Sequence, residues 1–169
     1  MLYKKIVLAT HNLHKQKEMN SILSSLGILI VGLDDFPQIG DIEETGTTLL
    51  ENAFIKARTV YELTGLPSLA DDTGLEVDSL GGAPGVYSAR YAGPEKNADA
   101  NMTKILNELK GKKNRKAKFR TAIALTLKNE QRLFEGEING HISDVKLGNE
   151  GFGYDPIFIP ENDIRSFAQ

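Results

Sequence analysis

The chain has 169 residues, 40% of them hydrophobic and 25% charged, with a net charge of −3 and no cysteine. That length is enough for one domain, residues 1–169, with a sizeable core and no covalent staples. The composition excludes a disordered or fibrous chain, and the lack of cysteine excludes disulfides and thiolate metal sites.

The acidic balance gives no general attraction to nucleic acid, so any anion site must be local. No apolar run approaches the roughly 18 residues of a membrane span, and Met1 to Lys5 lacks the apolar core of a signal peptide. The expectation is a cytoplasmic protein that engages neither membrane nor nucleic acid.

Ile6 to Ala9 is a short apolar run without alternation, as in a strand covered on both faces. It ends in Thr10-His11-Asn12-Leu13-His14-Lys15, after which Met19, Ile22, Leu23 and Leu26 recur at helical spacing and Gly27 closes the helix. A polar loop therefore joins a buried strand to a helix N-terminus, where free amides and the helix dipole favour an anion. Thr10, Asn12 and Lys15 offer a hydroxyl, an amide and a cation there. The glycines and Gly-Lys-Ser/Thr ending of a Walker A loop are absent. An ordinary helix cap with a surface lysine has the same appearance.

Ile28 to Val31 reads as a second strand, and a loop from Asp34 to Asp41 follows. Glu43 and Glu44 precede a helix expected to bury Leu50, Phe54, Ala57 and Tyr61. Asn52 and Lys56, four apart, share another face of it. The two glutamates are favourable charges ahead of a helix N-terminus, and equally a source of a second acid for a metal site.

Ser68-Leu69-Ala70-Asp71-Asp72-Thr73-Gly74 is the densest signal. It reads as a strand leaving the core and turning, because Asp, Thr and Gly are turn formers, with both acids at the strand end. Adjacent carboxylates repel, and Mg²⁺ removes that repulsion because it takes one or two carboxylates together with water and phosphate oxygens. A surface turn is the alternative. Leu75 to Leu80 then alternates like a half-buried strand, and Gly81 to Tyr91 is glycine-rich without a dinucleotide fingerprint.

A helix is expected over Asn97 to Lys110, with Ala98, Met102, Ile105, Leu106 and Leu109 inward. The basic run Gly111 to Lys118 reads as a solvated loop. Phe119 to Leu127 and Arg132 to Ile142 read as an antiparallel hairpin. In Gly148 to Pro156, three glycines accompany Phe152, Tyr154 and Asp155, a loop able to approach a ligand and offer an aromatic face, or a tight turn with buried aromatics.

Taken in order, Leu8-Ala9-Thr10 with Asn12 and Lys15, Glu43-Glu44-Thr45-Gly46, Glu51-Asn52-Ala53, Ala70 to Leu75, Gly81 to Tyr91 and Gly151 to Phe158 resemble the inosine triphosphate pyrophosphatase family. Its members hydrolyse non-standard purine nucleoside triphosphates (ITP, dITP, XTP) to the monophosphate and pyrophosphate with Mg²⁺. The resemblance implies an α/β fold, an elongated mixed sheet flanked by helices with two lobes and a central cleft, and a homodimer.

It implies that Thr10, His11, Asn12, Leu13, His14 and Lys15 hold the triphosphate with Lys56, that Glu44 and Asp72 bind Mg²⁺, and that Asp72 accepts a proton from the attacking water. Asp71 would be a supporting acid, Thr73 a substrate contact, and Phe152, Gly153, Tyr154 and Asp155 the nucleotide-binding loop. Family members continue into a last helix with a lysine and a Ser-His-Arg motif, whereas these residues stop at Ser166-Phe167-Ala168-Gln169. Two other readings therefore stand beside catalysis: a catalytically impaired nucleotide-binding protein, and a pyrophosphatase for other modified nucleotides.

Overall fold

The computed structural model describes residues 4–169; Met1 to Tyr3, part of the leader-free start read from the sequence, lie outside the described residues. Six strands, β1 (Lys5–Leu8), β2 (Leu29–Val31), β3 (Ser68–Val77), β4 (Lys116–Thr126), β5 (Gln131–Ile142) and β6 (Phe158–Pro160), hydrogen-bond in the order β2-β1-β3-β4-β5-β6. The sheet is mixed. β1 runs parallel to β2 and β3, whereas β5 and β6 are antiparallel. Four residues join β4 to its neighbour β5, too few for a parallel crossover, so these two form the expected hairpin. Three helices accompany the strands: α1 (Leu13–Leu23), α2 (Leu49–Thr64) and α3 (Ala98–Glu108). The fold is α/β.

The chain divides into two compact units, residues 1–72 with 122–135, and residues 73–121 with 136–169. β3, β4 and β5 each contribute to both.

In the first unit, Ile6, Leu8, Ile30 and Leu69 form a small core against which Met19 and Leu23 of α1 and Ile123 and Leu125 of β4 pack. α1 buries no residue fully, and its Ile22 is exposed. The buried face of α2 is Leu49, Asn52, Ala53, Ala57 and Val60, one step round from the stripe expected, in which only Ala57 was placed correctly. Leu50, Phe54 and Tyr61 are half-buried instead. Small side chains explain the shift: buried Ala53 and Ala57 let the helix approach closely, and the Ser68 hydroxyl donates to the Ala57 carbonyl.

The second unit has a larger core of Leu75, Val77, Met102, Ile105, Leu109, Ala117, Ile142, Tyr154, Ile157 and Phe158. Rings of Phe119, Phe158 and Phe167 meet at centroid distances of 4.7 to 6.1 Å. On α3, Asn101 is buried where Ala98 was expected and Ala98 is exposed. The Asn101 amide reaches inward to accept from the Ala92 amide (2.6 Å) and to donate to the Ala89 carbonyl (3.0 Å), so it fastens the 85–92 segment. The basic run is only partly a solvated loop: Arg115 donates to the carbonyls of Ile142 and Ser143, and Lys118 lies within β4 beside Glu76 and Glu137.

The expected turn at Asp71 to Gly74 does not form. β3 continues through both acids to Val77, and Gly74 has no positive φ. Turn propensity gives way to strand pairing, because β3 runs on beside β4 past the end of β1 and the acids have cationic partners that a turn would remove. β1 ends at Leu8, paired with Leu69, so the acids lie just beyond its carboxyl end. Ligands of open α/β sheets bind at such strand ends.

Candidate active site

The loop after β1 is built by its own side chains. The Asn12 amide donates to Thr10 Oγ1 (3.1 Å), and Asn12 Oδ1 caps α1 by accepting from the amides of His14 (2.9 Å) and Lys15 (3.4 Å). The expectation of free amides at this helix end is thereby corrected: the cap has taken two of them. Gln16, not singled out in the sequence, donates to the Thr10 carbonyl at 3.1 Å and fixes the loop from behind. His11 Nδ1 lies 3.3 Å from Asp34. Leu13 and His14 are exposed on the first turn.

Lys15 leaves this loop and meets Asp71 Oδ2 at 2.6 Å, with Asp71 buried. Strand geometry sends successive side chains to opposite faces. Asp72 accordingly meets a different lysine, Lys56 of α2, whose Nζ lies 3.4 Å from Asp72 Oδ1 and 3.0 Å from Glu44 Oε1. The same ammonium donates to the Asp71 carbonyl at 2.6 Å. Glu44 and Asp72, 28 residues apart in the chain, therefore share one cation.

Asn52, one turn before Lys56, is fully buried and accepts from the Gly46 amide at 2.8 Å, which holds the segment carrying Glu44. A Cβ at Gly46 would lie 2.6 Å from that Asn52 oxygen, so only glycine permits the approach. The four-residue offset from Lys56 was the sequence signal for Asn52.

Three carboxylates (Glu44, Asp71, Asp72) meet two ammonium groups (Lys15, Lys56) here. Burial pushes the Asp72 carboxyl above its ordinary range; Lys56 opposes that rise and Glu44 adds to it. Burial disfavours the charge on Lys56, but Asp72 and Glu44 beside it prevail and raise it. Asp72 Oδ2 and Asn52 Nδ2 are buried with no hydrogen bond of ordinary length, although the Asn52 amide beside Asp72 favours its ionised form. A buried carboxylate oxygen left this way is costly unless something else satisfies it.

Among the described residues no group of three His, Cys, Asp or Glu side chains forms a metal cage. A Mg²⁺ that takes two carboxylates and fills its remaining positions with water and phosphate does not need one. The paired carboxylates of Glu44 and Asp72, and an Asp72 oxygen that makes no hydrogen bond of ordinary length, fit that ion.

The remaining predicted residues belong to the second unit. Thr73 Oγ1 lies 2.9 Å from Thr121 Oγ1. In the loop at 151–155, Asp155 Oδ2 accepts from the Phe152 amide at 2.8 Å, and a Cβ on Gly151 would lie 2.2 Å from that oxygen. Tyr154 points into the core, and its hydroxyl donates to the Ser88 carbonyl at 2.7 Å. Phe152 and Gly153 are half-buried. Ser88 and Asn101, which anchor the neighbouring segment, were not singled out in the sequence.

Residues 6–169 match the Ham1 family. The chain is 53% identical over 165 residues to the dITP/XTP pyrophosphatase of Christiangramia forsetii, with 98% of this chain and 86% of that protein covered. To the dITP/XTP pyrophosphatase of Bacillus subtilis it is 44% identical over 172 residues, with 100% and 87% covered. Among solved structures, a HAM1 protein from Coxiella burnetii aligns with a TM-score of 0.89 at 41% identity, covering 99% of this chain and 86% of that one. The Ham1 protein of Staphylococcus aureus gives 0.88 at 39% identity, covering 98% and 86%. A match along nearly the whole chain, on the same fold, makes this protein a member of the Ham1 family.

Proposed function

We infer that the chain is a nucleoside triphosphate pyrophosphatase that hydrolyses non-standard purine nucleotides (dITP, XTP and ITP) to the monophosphate and pyrophosphate. The observation that carries this reading is the convergence of Glu44, Asp72 and Lys56 around one ammonium position, beside the Lys15–Asp71 pair. Relatives of 44 to 53% identity named dITP/XTP pyrophosphatase supply the substrate class.

In this reading Glu44 and Asp72 hold Mg²⁺, which neutralises charge on the phosphates. Lys15 and Lys56 bind phosphate oxygens, and the Thr10–Asn12 loop orients them. Asp72 accepts a proton from the attacking water; its buried Oδ2, which makes no hydrogen bond of ordinary length, is the atom suited to that. Thr73 and the Phe152–Asp155 loop contact the nucleotide. Tyr154 does so through its backbone, because its hydroxyl is committed to Ser88. The enzyme acts in the cytoplasm as a homodimer.

The test is release of pyrophosphate and the purine monophosphate from dITP and XTP in the presence of Mg²⁺. Asp72→Asn should lower turnover by about 10²–10⁴-fold. Nucleotide binding in calorimetry without release over hours would select the catalytically impaired reading. Full turnover by Asp72→Asn would remove Asp72 from the role of base.

A further inference from the structure

An ammonium has three N–H donors. On Lys56 they meet three acceptors: Glu44 Oε1 (3.0 Å), the Asp71 carbonyl (2.6 Å) and Asp72 Oδ1 (3.4 Å). The lysine is saturated and largely buried. It has no donor left for a phosphate oxygen unless it releases a carboxylate, and a released, buried carboxylate needs another cation. Equally, a divalent ion that took the Glu44 and Asp72 oxygens would meet a positive charge already resting on both.

We propose that Lys56 is an internal counter-ion for the Glu44–Asp72 pair, so that divalent cation and triphosphate bind as one metal–nucleotide chelate and not in succession. The exchange is balanced. The cation takes over the two carboxylates, and the Lys56 ammonium, kept in place by the Asp71 carbonyl, turns the two freed N–H groups to phosphate oxygens. Neither ligand alone completes it, because a cation alone leaves Lys56 with the Asp71 carbonyl as its one remaining acceptor of the three, and a bare triphosphate takes the Lys56 charge away from Glu44 and Asp72. The inference rests on the pyrophosphatase reading for its nucleotide half only. Its metal half concerns this chain's own side chains.

The experiment is a Mn²⁺ titration, followed by calorimetry and by the paramagnetic resonance of free Mn²⁺, with and without α,β-imido-ITP. For the wild type, Mn²⁺ alone should bind weakly, and the analogue should strengthen it about tenfold or more; by linkage, Mn²⁺ should strengthen analogue binding by the same factor. Lys56→Met should bind Mn²⁺ alone about tenfold more tightly than the wild type, and the coupling should shrink.

Lys56→Met that binds Mn²⁺ no more tightly than the wild type overturns the proposal. So does Mn²⁺ binding that survives Glu44→Gln, which would place the ion elsewhere. Should Lys56→Met fold poorly, Lys56→Gln and thermal melts decide: Mn²⁺ must raise the Tm of the variant more than that of the wild type. If the analogue binds under no condition, the pyrophosphatase reading fails, and the Mn²⁺-only comparison still judges Lys56.

Discussion

The two units treat buried polarity in opposite ways. In the second, the polar side chains that hold the 85–92 segment in the core are matched by the chain itself. Asn101 serves the 85–92 segment, Ser88 Oγ accepts from the Leu75 amide and donates to Gly85, and Tyr154 serves Ser88. In the first, Asp72 Oδ2, Asn52 Nδ2 and Thr126 Oγ1 are buried with no hydrogen bond of ordinary length, and the first two lie where Glu44 and Asp72 meet Lys56. The lesson is that unmatched polar atoms gathered beside charged groups mark where a ligand completes the structure, and matched polarity marks where the chain completes itself.

Variants can break or sharpen this contrast. The largest effect on stability should come from Phe158→Ala in the second unit, where a fully buried ring in contact with Phe119 and Phe167 is lost; about 3–5 kcal/mol is expected from denaturant midpoints. Next comes Asn101→Ala, which strands the Ala92 amide and the Ala89 carbonyl at a cost of about 2–4 kcal/mol. Its kcat/KM per folded molecule should stay within about twofold of the wild type.

Asn52→Ala should reverse that pattern. The Gly46 amide loses a partner and Asp72 loses the amide beside it, so about 1–2 kcal/mol is expected, yet kcat/KM should fall roughly tenfold because Glu44 and Asp72 lose their support. Equal ratios of stability loss to activity loss for the two asparagines would dissolve the distinction between the units.

The smallest effect concerns pH. Burial raises the Asp155 carboxyl, against the opposing bond from the Phe152 amide. A raised carboxylate favours the protonated form in the fold, so its contribution is fully present below the unfolded value of about 3.9 and is lost as pH rises through the folded one. The wild type should therefore lose stability relative to Asp155→Asn as pH rises through that range, with the difference flat above it. Chemical melts at several pH values check the sign.

Much of this was legible in the sequence, because periodicity reports burial directly. The apolar run Ile6–Ala9, the β4–β5 hairpin and α3 formed where expected to within a few residues. What failed did so for two identifiable reasons. Turn propensity at Asp71-Asp72-Thr73-Gly74 was overridden by strand pairing, which a local reading does not contain. The buried face of α2 was misplaced, and on α3, where Met102, Ile105 and Leu109 are buried as expected, Asn101 was missed, because Asn52 and Asn101 looked polar, whereas each is buried with the backbone groups it satisfies. At the site, residue types and order were readable. The pairing of each acid with its own lysine was not, since it depends on the face to which each side chain of β3 points.

That alternation makes the alignment of β3 a wiring scheme as well as a pattern of pairing. Asp71 and Asp72 differ by one position, and one position is the step that exchanges the two faces of a strand. Substitutions at Leu69 and Ala70 would change packing alone. A single residue inserted before Asp71 would carry Asp71 into the place of Asp72, and a single deletion would carry Asp72 into the place of Asp71; either way one lysine loses its carboxylate. This segment is thus open to variation in composition and closed to variation in length.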